Sequence, residues 1–185
     1  MFAGRLVHLL LTIALSVVVS HNGVSANTFD YATISKEDAS MIETIVAQYS
    51  IECSSLHDAA SNVKVELKDD QVTRHRLLQD GSTLLVVEAS FYCKDFGHPW
   101  SGSAGSPTYL IIKGKAYEIV RGSVSTFHVN DSTTVINIWH HGSNCKSVES
   151  DIISGSKPCF SAIYWDEVTE TFSWFAGENI IKRLN

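Results

Sequence analysis

Cys53, Cys93, Cys145 and Cys159 are the four cysteines of this 185-residue chain, and all of them follow an apolar leader. An even count in that position implies two disulfides, formally with three connectivities. This framework limits the fold more than any other feature, because each bridge must bring two distant segments within bonding reach. No C-x-x-C pair occurs, which leaves a thioredoxin-like redox role or a zinc knuckle with little support.

The leader begins with a short positive start ending at Arg5. The nearly unbroken apolar run Leu6 to Val19 follows, and then Ser20 to Ala26, closing on the small-x-small pattern Val24-Ser25-Ala26. That order reads as a secretory signal peptide, residues 1–26, cleaved before Asn27. The apolar run is short against the ~20 residues a spanning helix needs, so no stable membrane span is expected after cleavage. Residues 27–185 are expected to form a single globular domain, long enough to bury a real core.

Whole-chain charge is −6, from 14 basic and 20 acidic residues. Arg5 is the only charged residue before Asn27, so the remainder carries −7. Its lysines and arginines are scattered, whereas phosphate binding needs them clustered. Nucleic acid and anionic membrane surfaces are therefore poor partners.

Ser35-Lys-Glu-Asp38 is a capping-box signature. After it, Ile42, Ile45, Val46, Tyr49, Cys53 and Leu56 recur at helical spacing. The spacing predicts an amphipathic helix from Lys36 to about His57. Beyond Asn62 the pattern changes to strands: Val63 to Lys68, Val72 to Leu78, and Thr83 to Cys93 after the hairpin cue Asp80-Gly81. In the third of these, Leu85, Val87, Ala89, Phe91 and Cys93 fall on one face, as in a half-buried antiparallel strand. Further strands are expected at 108–112, 115–120, 126–129, 134–140, 160–166 and 171–176. The fold class is α+β: an N-terminal helix packed on a mostly antiparallel sheet, or a partly open barrel, of about eight strands, disulfide-braced.

Cysteine placement agrees with this layout. Cys53 lies on the buried stripe of the helix and Cys93 on the core face of its strand, so the two are expected to pair. Cys145 and Cys159 would then close a loop of about 15 residues, worth ~3 kcal/mol by the chain-entropy model.

The stretch Asn137 to Cys145, NIWHHGSNC, puts His140 and His141 side by side. On a strand, adjacent side chains point to opposite faces, so these two would not ligate one metal together. No H-E-x-x-H or H-x-H arrangement is present. No metal or other cofactor is expected. A Ser103 or Ser143 nucleophile, with His98 or His141 as base and Asp95 or Asp166 as orienter, can be drawn, but the G-x-S-x-G elbow is absent. Trp100 stands in the Gly/Ser-rich loop Lys94 to Pro107, beside His98, where no core periodicity asks for an indole. Aromatics on long loops suit contact with a protein or a carbohydrate, although Trp100 could also fold back as a plug over one end of the sheet. Asn130-Asp131-Ser132 fits the N-glycosylation sequon.

The expected function is an exported binding or interaction protein, periplasmic or extracellular, such as an inhibitor or envelope accessory protein. Its partner would be an extracellular or envelope protein or a glycan. Candidate binding residues are His98, Trp100, Tyr109, His140 and His141, on a contact edge made of residues 96–107 and 140–159. The alternative is a secreted hydrolase using His98, His140 or His141 with a nearby serine or acid.

Overall fold

A helix, α1 (Lys36–Leu56), opens at the predicted cap. Ser35 Oγ accepts from the Asp38 amide at 3.1 Å and donates to Asp38 Oδ2 at 2.9 Å. The same carboxylate reaches out of the helix, where Oδ1 accepts from the Gly114 amide at 2.8 Å. One side chain thus ends the helix and pins it to a turn far along the chain. Ile42, Ile45, Tyr49 and Cys53 form its buried stripe. Leu56, expected on that stripe, is 44% exposed in the last turn.

The computed structural model describes residues 28–57, 63–103, 105–119, 122–142, 145, 158–177 and 181–183. The leader 1–26 and most of the loop between Cys145 and Cys159 lie outside them. Among the described residues nine strands follow α1: β1 (Val72–Arg76), β2 (Thr83–Glu88), β3 (Thr108–Ile112), β4 (Lys115–Ile119), β5 (Gly122–Asn130), β6 (Thr133–His140), β7 (Cys159–Asp166), β8 (Thr171–Gly177) and β9 (Ile181–Arg183). They do not form one sheet or a barrel. One sheet has the order β1-β2-β3-β4-β9 and the other β5-β6-β7-β8, and every pairing is antiparallel.

The layers follow from which residues share a core. Leu85, Val87, Tyr109 and Ile111 of the five-stranded sheet pack with Ile42, Ile45 and Tyr49 of the helix. Their neighbours of opposite parity, Leu84, Val86, Leu110 and Ile112, pack with Ile136, Ile138, Ile163 and Trp165 of the four-stranded sheet. The five-stranded sheet is therefore the middle layer. This corrects the half-buried reading of β2: both faces are covered, which is why its run Leu84 to Val87 is apolar at every position. Fully burying each such side chain is worth roughly 1.5–3 kcal/mol.

Segment 63–67 forms no ladder, against expectation. Its backbone is held by the helix instead. Val65 N donates to Ser50 Oγ at 3.1 Å, and Val63 exchanges two bonds with Ser54 Oγ. The two sheets are tied at β6, whose ladder with β7 stops at Val135. Gln79 continues it in place of a strand: Nε2 donates to the Thr134 carbonyl at 2.8 Å and Oε1 accepts from the Thr134 amide at 3.3 Å. The disulfides are Cys53–Cys93, with both residues fully buried, and Cys145–Cys159, the expected pairing.

Candidate functional site

The residues singled out from sequence do not converge. Trp100 and Tyr109 belong to the helix-side core, whereas His140 lies on the four-stranded sheet. Trp100 Nε1 donates to Glu52 Oε2 at 2.8 Å, and its ring meets Tyr49 edge-on at 4.8 Å. The indole is half-buried over the helix, folded back as a plug. Tyr109 is buried, its hydroxyl 3.0 Å from that of Tyr49. Burial raises the pKa of both phenols, and their mutual hydrogen bond raises that of Tyr49 further. His140 is also fully buried, with Nε2 3.0 Å from Ser161 Oγ. Tyr109 and His140 therefore present no surface to a partner, a correction that follows directly from burial. His98 is exposed, its Nδ1 2.9 Å from the Ser90 carbonyl, and His141 is half-buried.

Among the described residues, the histidines drawn for a hydrolase are not gathered at one cleft. His140 and Ser161 are a histidine–serine pair, but enclosed: Ser161 is 1% exposed. Neither they, His98 nor His141 line the clefts at the start of α1, beside Trp139 or beside Tyr164. Asp166, the drawn orienter, accepts from the Val168 and Thr169 amides in its own turn. Ser143 lies outside the described residues. Cys53, His57 and Cys93 bring metal-type ligand atoms within 4.8 Å of one another, but both sulfurs are committed to the disulfide.

What sequence reading missed is the outer face of the four-stranded sheet. Here β6 points Thr134, Ile136, Ile138 and His140 inward, and its odd positions outward. Register then sets three rows across the strands. One is Ser123, Trp139 and Phe160; the next is Ser125, Asn137 and Ala162; the third is Phe127, Val135, Tyr164 and Ser173. Large rings thus stand in the first and third rows, with a trough of small polar and methyl groups between them. Phe127 is 46% and Phe160 54% exposed; Trp139 and Tyr164 are half-buried. Val135, flanked by Phe127 and Tyr164, is covered. No residue of the three rows is charged.

Two clefts continue this face. Beside Tyr164 a recess of about 530 Å³ is lined by Thr133, Asp166, Val168 and Phe175. Beside Trp139 a second, of about 310 Å³, opens at the edge between the two sheets, where Ser103 and Ser106 of the Gly/Ser loop meet Ser123, with Asp70 and Glu88 on its far wall. A third, of about 520 Å³, lies at the start of α1, and its two cations are already engaged. Lys113 pairs with Asp80 at 2.6 Å, and Arg74 donates to Thr33 Oγ1 at 2.9 Å. Asn130 stands exposed at the β5–β6 turn, its Oδ1 accepting from the Ser132 amide.

No family model, curated protein or solved structure matches this chain.

Proposed function

We propose that the chain is an exported, disulfide-stabilised binding protein that works through the outer face of its four-stranded sheet, and that it is not an enzyme. One observation carries this reading. Exposed Phe127 and Phe160 stand with Trp139 and Tyr164 on rows that carry no charged residue, although the helix and the middle sheet already have filled cores. Several large exposed or half-exposed rings on one sheet face mark an interaction site. The Gly/Ser loop extends the contact edge past Trp139, which keeps part of the expected edge while moving its centre away from Trp100.

Two disulfides suit an oxidising compartment, and the leader 1–26 supplies the route to it, with 27–185 as the working domain. The site of action is the periplasm or the extracellular space. No described helix is long and apolar enough to cross a membrane. The partner is an extracellular or envelope component, protein or glycan.

The test uses immobilised protein exposed to an envelope and culture-medium fraction. A component retained by the wild type and lost by the double variant Phe127→Ser, Phe160→Ser, with unchanged thermal unfolding, supports the reading. Equal retention by both proteins defeats it.

A further inference from the structure

We propose that the trough on the outer sheet face binds a linear, uncharged glycan laid across the strands. The glycan would lie over Ser125 and Asn137, between the ridge of Trp139 and Phe160 and the ridge of Phe127 and Tyr164. This inference rests on the reading of that face as the contact surface.

Charge selects the occupant. The whole chain is −6, yet neither ridge nor trough carries a charged residue. A polyanion would be repelled by the chain and meet no counter-charge here. A charged protein surface would lose hydration against these rings, and a basic one would find its nearest counter-charges only at the rim, at Asp166 and Glu167. An uncharged polymer has neither cost.

The chemistry of the rows matches a sugar chain. A pyranose has apolar C–H faces, which stack on aromatic rings, and a rim of hydroxyls that both donate and accept. The Asn137 amide likewise offers donors and acceptors, and the Ser125 hydroxyl does the same. Neither side chain is engaged in a hydrogen bond among the described residues. The ridges are four residues apart along the strands, roughly 14 Å at backbone level, which admits one chain of rings between them.

Topology adds that the ligand is a polymer. The trough row starts on β5, an edge strand of the four-stranded sheet, and crosses β6 to β7. Among the described residues the trough has no end wall on the β5 side, where Ser125 is exposed. An occupant can therefore run past the protein, whereas a small metabolite would call for an enclosed pocket.

Titration calorimetry of the intact exported protein tests this, with cellohexaose, laminarihexaose and chitohexaose as neutral probes and hexagalacturonate as the charged counterpart. The expected result is saturable binding of at least one neutral hexasaccharide, insensitive to added salt. Trp139→Ala and Asn137→Ala should each weaken it by about tenfold or more without moving thermal unfolding. No binding of any neutral probe, preference for hexagalacturonate, or undiminished affinity in Trp139→Ala overturns the proposal. The envelope-fraction experiment separates the two levels of failure. If Trp139→Ala abolishes retention of a component that resists glycosidases and is destroyed by protease, the contact face stands and the glycan falls. If retention is indifferent to Trp139, both fall.

Discussion

Trp100 and Glu52 join the Gly/Ser-rich loop to the middle of α1 through a hydrogen bond of 2.8 Å from indole nitrogen to carboxylate. The ring also lies edge-on to Tyr49, so the loop's one tryptophan covers the helix–sheet seam. Its replacement should therefore act on stability. Trp100→Ala is expected to cost about 2 kcal/mol, below the range for a fully buried tryptophan because the ring is half-exposed. Trp100→Phe, which keeps the ring and loses the charge-assisted bond, should cost about 1 kcal/mol. Urea denaturation checks both. Loss of partner binding by Trp100→Ala without loss of stability would show that the indole belongs to the contact surface instead.

The two disulfides should contribute unequally. Chain entropy gives about 4 kcal/mol for a loop of the Cys53–Cys93 size and about 3 kcal/mol for the shorter Cys145–Cys159 loop. The first bridge is also fully buried between helix and sheet, so its loss additionally disturbs the core. Cys53→Ala, Cys93→Ala is expected to lower the unfolding midpoint more than Cys145→Ala, Cys159→Ala does. Non-reducing peptide mapping of exported protein checks the pairing itself.

Helix and bridges were legible because each rests on local pattern. Ser35 and Asp38 sit at capping spacing, and Cys53 falls on a stripe that only one surface can cover. The division into two sheets was not legible. Alternation along Thr83 to Glu88 reports which residues share a face, but not that a second sheet covers the other one. Nothing in Ile181–Arg183 signals a strand, since three residues carry no period, and pairing with β4 makes it one. The candidate site was missed for a related reason. In β6 and β7 both parities are apolar: Ile136 and Ile138 on one face, Val135 and Trp139 on the other. Such strands read as core throughout, and only the register of β5 to β8 shows that one face has no layer of described residues over it. Phe160 and Phe127 are exposed because the helix lies on the far side of the other sheet.

His75 should make stability depend on pH. Its ring is half-buried on β1 with Nδ1 3.1 Å from Thr126 Oγ1, and burial lowers its pKa below the usual 6.5. The folded state thus takes up the proton less readily than the unfolded chain. Above pH 6.5 both are neutral and the group adds no slope. As pH falls through 6.5 towards the depressed folded value, only the unfolded chain gains the proton, and stability is lost. His75→Gln should remove this part of the slope, giving a smaller fall in urea midpoint than wild type between about pH 7.5 and pH 5. Parallel curves for the two proteins would show that His75 contributes nothing.

Gly122, the first residue of β5, is the position where a single methyl group should do most damage to the second sheet. It pairs with His140 on β6, and a Cβ there would overlap the Trp139 carbonyl oxygen and touch Ile119 Cγ2 at 3.4 Å. The obstructing atom is backbone of β6, a strand paired on both sides, so it does not swing aside as a side-chain tip would. Gly122 also accepts from Thr108 Oγ1 at 3.1 Å, a bond between the sheets. Relieving the overlap means withdrawing β5 from β6, which strains that tie and the Trp139 end of the outer face together. Gly122→Ala is expected to destabilise by about 3 kcal/mol, at the upper end of overpacking costs. That corresponds to a fall in thermal midpoint of roughly 6–12 °C for a domain of this size. Ser123→Ala, one residue on and exposed, should move the midpoint by no more than about 1–2 °C, within the usual surface range. If the two variants behave alike, β5 does not pack against β6 at the Gly122 register.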